Sequence, residues 1–406
     1  MPSSNATRRA IVIGGSMSGL FAALRLRQRG FAVDVYERVD SELAGRGAGI
    51  VAQPNVHRAL RDLGIDTRNI GVEAKVRRIL DVDGKLVCEA VIPQIYTAWE
   101  RLYRLLRDAF PPAHYRRGIG LKHFEQSIDS VVAHFSDGSH ADADLLVGAD
   151  GIRSTVRQQL LPELNPLYAG YVAWRVMLAE QDLPPAIHHE LFDVMTFCLP
   201  PGEQFLGYPV AGPDNDLRPG HRRYNALWYR PAAEASELQR LLTDDSGVTH
   251  SISIPPPLIR QQEIAAMQAA AERLLAPQFR VVARMMNQPV LQPIYDLETP
   301  QMAFGRVAII GDAAFVARPH VGAGVSKASD DALALADAVA NDDIESGLRQ
   351  FEAQRLPIGR QIIERARHLG AYLQATQTAE ERAHAGRFST AQAVLQQTAL
   401  VDFLDA

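Results

Sequence analysis

Cysteine is scarce in this chain: two residues, Cys88 and Cys198, among 406. Two thiols cannot build a disulfide framework or a cysteine-rich metal centre, so a reduced, cytoplasmic setting is expected. Long apolar runs are missing as well. No stretch approaches the roughly 18 uninterrupted apolar residues of a membrane helix, and the first residues, MPSSNATRR, lack the apolar segment of a secretion signal. A soluble protein with no membrane partner is the expectation. Positive charge is not in excess either. The 42 Lys and Arg are outnumbered by 47 Asp and Glu, and the basic residues are scattered, which argues against a nucleic-acid partner. Repeats, low-complexity tracts and a Ser–His–Asp constellation are absent. The adjacent pair His188 and His189 diverges on any regular element and reads as surface, so no catalytic metal is expected.

What is present begins at residues 8–38. Residues 10–13 are a short, branched, apolar run that reads as a strand buried on both faces. Gly14, Gly15, Ser16, Met17, Ser18 and Gly19 follow at once, and residues 20–29 show helical spacing up to Gly30. A second strand over 32–36 is closed by Glu37 and Arg38. This strand–turn–helix–strand unit is a dinucleotide-binding pattern. Unpaired N–H groups at the helix start attract a pyrophosphate. Gly14 permits the tight turn, Gly19 lets the helix pack closely, and Glu37 is placed to accept from a ribose hydroxyl. The second glycine of G-x-G-x-x-G is replaced here by Ser16.

The next loop returns past the open sheet edge through Arg46, either a phosphate or ribityl contact or an exposed surface arginine, and reaches Gly49, Ile50 and Val51. Further on, residues 56–63 and 98–110 read as helices, and Asp83-Gly84 and Asp137-Gly138 as hairpin turns. A buried strand over 145–147 runs into Gly148-Ala149-Asp150-Gly151-Ile152-Arg153. Asp150 there is placed to face a ligand crevice, to cap the helix that follows, or both. Residues 165–300 change character, with aromatic strand-like runs separated by Pro and Gly, as in an antiparallel sheet. The first style then returns. A strand over 306–310 closes on Gly311-Asp312, and Gly322-Ala323-Gly324-Val325 forms another glycine turn ahead of a helix. The chain from 344 on reads as helical.

Taken together, GGSMSG with Glu37, then GADGIRS, then GDAAFVARPHVGAG resembles the single-component FAD-dependent aromatic hydroxylases, the para-hydroxybenzoate hydroxylase-like family of flavoprotein monooxygenases. The segments YAGYVAWR, GYPVAG, RPHVGAG and SKASDDALALA look most like its branch acting on hydroxylated N-heterocycles such as hydroxypyridines. The resemblance covers nearly the whole chain. It implies an α/β fold with a Rossmann-like FAD-binding domain made of discontinuous chain (8–70, 98–160 and 280–345). An antiparallel-sheet substrate domain (71–97 and 165–279) and a C-terminal helical region (346–406) would complete it.

The resemblance also implies roles. Residues 14–19 would hold the FAD pyrophosphate and Glu37 the adenosine ribose. Asp150 is tied to FAD and nicotinamide use, Asp312 to the ribityl and pyrophosphate portion, and Pro319 would lie beside the flavin ring. Gly324 and Val325 would offer N–H groups to its pyrimidine edge. NADH or NADPH would reduce the flavin, O2 would add to form a flavin hydroperoxide, and oxygen would pass to an electron-rich aromatic ring. A homodimer is the family expectation. His320, beside Pro319, is the first candidate to bind or deprotonate a ring hydroxyl near neutral pH, with a structural histidine as the alternative. Tyr208, Tyr229, Trp228 and Arg175 are further candidates, of which only one of Trp228 and Tyr229 can face a pocket. Trp99 stands where many relatives carry an FAD-contacting Arg, a contact that would then fall to Arg101 or be missing. Phe315 stands where many carry His. Epoxidation, oxidative decarboxylation and a non-catalytic flavin sensor are the competing readings.

Overall fold

The computed structural model describes residues 7–43, 49–341 and 343–404. Its first layer is a six-stranded sheet in the order Ala303–Phe304, Val307–Ile309, Leu145–Gly148, Arg9–Ile13, Ala32–Glu37, Tyr115–Arg117. All neighbours are parallel except the first pair. Parallel strands covered on both sides need apolar residues throughout, which is what Ala10–Ile13 and Leu145–Val147 supply. Helices Met17–Gln28 and Gly324–Asn341 pack against each other, with Leu20, Phe21, Val35, Leu146, Ile309 and Leu335 in one core. A three-stranded sheet, Leu121–Gln126, Val131–Phe135 and His140–Ala143, attaches to that core through Phe124, Val131, Ala133 and Phe135.

The second layer is a nine-stranded sheet ordered Phe315–Val316, Val290–Glu298, Leu167–Ala179, Arg223–Pro231, Gln204–Val210, Met195–Cys198, Val72–Leu80, Leu86–Ala98, Gly49–Val51. It is antiparallel apart from one join, where Met195–Cys198 runs parallel to Val72–Leu80. Strand alternation divides its aromatics. Trp174, Phe205 and Trp228 face away from the first domain onto helices Gln261–Leu274 and Pro277–Arg284, against Met267, Phe279 and Val282. Tyr171, Leu206, Tyr208, Leu227 and Tyr229 face the opposite way. Between Trp228 and Tyr229, then, it is Tyr229 that turns toward the cofactor side.

The two sheets do not divide the chain at the expected points. Gly49–Val51, Val290–Glu298 and Phe315–Val316 all lie in the nine-stranded sheet, although the sequence places them with the cofactor domain. Gly49–Val51 and Val290–Glu298 find their pairing partners far away in sequence, and Phe315–Val316 is drawn in by Val290–Glu298. Local pattern carries no information about those partners. The hairpins at Gly84 and Gly138 form as expected, each glycine at positive φ. Helices Ile344–Gly370, Ala379–Phe388 and Ala391–Gln397 make up the C-terminal region. No helix among the described residues is long and apolar enough to cross a membrane.

Candidate active site

The strand Arg9–Ile13 ends in a turn that only glycine permits. Gly14 has φ +104°, and a Cβ there would lie 2.4 Å from the Ala149 carbonyl oxygen. At Gly19 a Cβ would lie 1.9 Å from the Gly14 oxygen, so the helix Met17–Gln28 could not sit this close to its strand with any side chain at that position. Ser16 occupies the N-cap without a side-chain cap bond, leaving the first-turn N–H groups directed at the neighbouring cavities. Glu37 is buried and braces the turn. Its Oε2 accepts from Gly15 N–H at 2.8 Å and its Oε1 from Val39 N–H at 2.9 Å. Each carboxylate oxygen keeps a second lone pair for a ligand hydroxyl.

Two adjoining cavities open here. The smaller, ≈ 250 Å³, is lined by Gly14, Ser16, Glu37, Arg38, Asp150 and Gly151 among others. The larger, ≈ 410 Å³, is lined by Met17, Ser18, Gly49, Ile50, Val51, Asp312, Pro319 and Gly322 to Val325 on one side. On the other stand Met195, Leu206, Tyr208, Leu227, Tyr229 and Gln292 of the nine-stranded sheet. Ser16, Trp99, Ala149 and Gly151 border both, so the two read as one elongated cleft crossing the glycine turn. An extended dinucleotide fits such a path, with its diphosphate at the uncapped helix start.

Asp150 fills both of its expected places. Its Oδ2 accepts from Thr155 N–H at 2.7 Å, its Oδ1 accepts from Ser154 Oγ at 2.5 Å, and it lines the smaller cavity. Burial pushes its carboxyl up from its ordinary value, against the pull of these bonds. Ser154 in turn caps the helix Thr155–Leu160 by accepting from Arg157 N–H. Asp312 follows Gly311, whose φ of +60° makes the sharp turn beneath Ser18.

Several expected contacts fall elsewhere. Arg153 points outward to Ser253 at 3.4 Å and lines neither cavity. Arg101 lines a separate outer pocket with Glu100, Arg104 and Asp214, so it does not replace the arginine that Trp99 displaces. Arg175 sits one layer back. Its guanidinium donates to Gln292 Oε1 at 2.5 Å, and it is Gln292 that reaches the cavity. Arg46 lies outside the described residues.

His320 lines the larger cavity but is not the near-neutral base expected of it. Burial and the adjacent Arg318 pull its pKa down to about 3. Its Nε2 is already paired with Tyr171 Oη at 2.9 Å, and its ring lies 4.4 Å from that of Tyr229. Arg318 is itself buried and ion-paired with Asp296 at 2.8 Å. A neutral imidazole held in this way can orient a ligand, but it cannot remove a phenolic proton efficiently. Tyr208 Oη donates to the Gly49 carbonyl at 2.8 Å. Burial raises the phenols of Tyr208 and Tyr229, the latter to about 12, so both remain neutral donors.

Two features escape sequence reasoning. Lys327 lines the larger cavity and is almost fully buried. Its ammonium has no hydrogen-bond acceptor, and its nearest carboxylate, Asp331, is 3.7 Å away. Its place three residues after Gly324, on the first turns of a helix aimed at the cleft, was the available signal. Thr398 and Ala399 close one end of the same cavity. Ala399 N–H donates to the His320 carbonyl at 2.7 Å, while its own carbonyl accepts from Gln53 and Gln94 at 3.0 and 2.9 Å. No local pattern announces that contact.

The cleft fits FAD on this chain's own features: an uncapped helix start, glycines where any Cβ would collide, and a buried ammonium with no hydrogen-bond acceptor. Known proteins agree. Residues 12–67 match the NAD(P)-binding Rossmann-like domain family, and residues 168–296 match a family described as FAD binding domain-like. The chain is 34% identical over 373 residues to 2,6-dihydroxypyridine 3-monooxygenase of Paenarthrobacter nicotinovorans, covering 91% of this chain and 93% of that protein. It is 29% identical to 3-amino-4-hydroxybenzoate 2-monooxygenase of Streptomyces cremeus, over 89% of this chain and 86% of the relative. The solved structure of 2,6-dihydroxypyridine-3-hydroxylase from Arthrobacter nicotinovorans superposes with a TM-score of 0.86 at 33% identity, covering 92% and 95% of the two chains. The chain therefore belongs to the FAD-dependent aromatic hydroxylases, and it is a flavoprotein monooxygenase.

Proposed function

We propose that this enzyme hydroxylates an electron-rich, hydroxylated N-heteroaromatic ring such as a hydroxypyridine, in the cytoplasm, using NADH or NADPH as reductant. The observation that carries this is the inner wall of the larger cavity. Leu206, Leu227 and Met195 make an apolar floor, and Tyr208, Tyr229 and His320 stand around it as neutral groups. A flat heteroaromatic ring can stack there and take hydrogen bonds from Tyr229 Oη and the Gln292 amide. A substrate carboxylate would find no guanidinium open to it on this wall, because Arg318 is ion-paired with Asp296, and Arg175, behind Gln292, does not line the cavity.

FAD, when bound, supplies the oxygen-transfer chemistry. The protein supplies position and dryness. Residues 14–19 and the uncapped helix start would hold the diphosphate, Glu37 and Arg38 the adenosine end, and Asp312 the ribityl chain. Gly324 and Val325 would donate N–H to the flavin edge at the start of the helix Gly324–Asn341. The apolar floor and the C-terminal residues Thr398 and Ala399 exclude water from the reacting ring. The similarity to a dihydroxypyridine monooxygenase over most of both chains supports the same substrate class.

The test follows NADH and NADPH oxidation by the purified yellow protein against a panel of hydroxypyridines, hydroxybenzoates and simple phenols, with product mass determined. We expect oxidation to rise with a hydroxypyridine and one oxygen atom to be added per nicotinamide consumed. Stimulation by hydroxybenzoates with none by any hydroxypyridine would overturn the substrate class.

A further inference from the structure

On the three-stranded sheet, whose first residue Leu121 borders the smaller cavity, register brings three histidines into one row. His123 pairs with His134 across the first two strands, and His134 pairs with His140 across the next. Glu125, two residues past His123, shares their face. The opposite face, with Phe124, Val131, Ala133 and Phe135, is glued to the core, so this histidine face looks outward. The rings of His123 and His134 are stacked at 4.3 Å, and His140 lies 6.2 Å from His134. Glu125 Oε1 is 3.8 Å from His123 Nε2 and 3.9 Å from His134 Nε2, and the three donor atoms all lie within 4.8 Å of one another.

We propose that His123, Glu125 and His134 form a binding site for a divalent transition ion of the zinc class, with His140 adjacent as a further donor. Zinc takes imidazole nitrogen and carboxylate oxygen at about 2.0–2.2 Å, which puts neighbouring ligand atoms roughly 3.3–3.5 Å apart in a tetrahedron. The present spacing exceeds that by a few tenths of an ångström to a little over one, a closure that rotation of the exposed His123 and Glu125 side chains toward the half-buried His134 supplies. Two imidazoles with one carboxylate favour zinc, nickel or copper over magnesium or calcium, which prefer all-oxygen sets. Water would complete the shell, as expected of a solvent-facing site. The ion would tie the strand Leu121–Gln126 to its neighbour. That strand is also held by Gln159, which bonds Phe124 N–H at 3.0 Å and its carbonyl at 2.6 Å from the helix that Asp150 and Ser154 cap. A bound ion would therefore brace the outer rim of the cofactor domain.

The test uses untagged, FAD-loaded enzyme, freed of metal with a chelator and dialysed. Zinc chloride is titrated by calorimetry and by thermal denaturation. One ion per chain with micromolar affinity and a raised Tm is expected, falling at least tenfold in affinity in His134→Ala and in His123→Ala, with Glu125→Gln weaker than wild type. His189→Ala, an exposed histidine elsewhere, should bind as wild type does. Should His134→Ala fold poorly, the more exposed His123 and Glu125 variants decide. Absence of saturable binding by the wild type, or binding unchanged in the His123 and Glu125 variants, would overturn the proposal.

Discussion

Lys327 is buried beside the cleft with no hydrogen-bond acceptor and only a long 3.7 Å contact to Asp331. A buried ammonium without an acceptor is costly, by several kcal/mol relative to a partnered one, and the cleft beside it is where an anionic dinucleotide belongs. Lys327→Met should therefore leave the thermal stability of the FAD-free protein unchanged or raised. It should also weaken FAD binding by tenfold or more, the loss of one charge-assisted hydrogen bond of about 1.5–3 kcal/mol. Fluorescence titration of the apoprotein with FAD measures both the affinity and, with melting curves, the opposite signs. His320 makes a pH prediction. Its folded pKa is depressed from 6.5 to about 3. Its stabilising contribution is therefore complete above pH 6.5 and is lost as the pH falls toward 3, because the unfolded chain takes up the proton first. The slope approaches about 1.4 kcal/mol per pH unit while the unfolded imidazole is charged. His320→Gln should flatten the fall in urea midpoint between pH 6.5 and 4 relative to the wild type. Its kcat/KM profile should keep the wild-type shape, since His320 carries no proton to lose near neutrality. His320, beside Pro319 in sequence, lines the larger cavity. Its acid–base character depended on Tyr171, Tyr229 and Arg318 closing around it, and only Arg318 is a sequence neighbour.

At the scale of elements, the strand-to-helix turns were legible because each is local. Strand, glycine and helix follow one another within a few residues, and backbone sterics at Gly14 and Gly19 depend on contacts inside the same unit or with the adjacent parallel strand. Gly19→Ala should separate the helix Met17–Gln28 from its strand. The variant is expected to retain secondary structure by circular dichroism but to purify colourless. The Asp150–Ser154 cap offers a gentler perturbation. Ser154→Ala removes the acceptor for Arg157 N–H and the donor to Asp150, so stability should fall by about 1–2 kcal/mol. Chemical denaturation read by tryptophan fluorescence measures that loss. Strand assignment was less legible. Ile50 and Val51 read as an apolar strand start after a glycine-rich loop, and a strand Gly49–Val51 does form there. What the pattern does not give is its sheet, which is set by the backbone partners that the far end of Leu86–Ala98 offers.

Across the whole molecule, the cleft is a seam between two sheets, sealed by chain from the far end of the sequence. Gly322 at φ +65° lets Ala399 approach so closely that a Cβ would lie 2.8 Å from the Ala399 Cα. Arg77, fully buried, donates to the Leu395 and Thr398 carbonyls at 3.1 and 2.7 Å. Arg77→Met strips those carbonyls of a charged donor and should loosen the segment that closes the cavity. The expected outcome is nicotinamide oxidation with less hydroxylated product per turnover and more hydrogen peroxide, read by a peroxide assay alongside product quantitation. Equal coupling in variant and wild type would show that the segment does not keep the site dry.

The sequence by itself determined the local units: the glycine turns, the acids that follow the strands, the two hairpins and the family. Each of these is written in residues a few positions apart, where backbone sterics and hydrogen bonding act directly. Only the tertiary structure decided which sheet Gly49–Val51 and Val290–Glu298 join, that Arg153 and Arg101 turn away from the cleft, and that His320 is neutral. It alone brought Ala399 to the cavity beside the His320 carbonyl. Those outcomes depend on desolvation and pairing between segments distant in the chain. Burial and distant contacts set a side chain's charge and direction, and a linear pattern does not contain them.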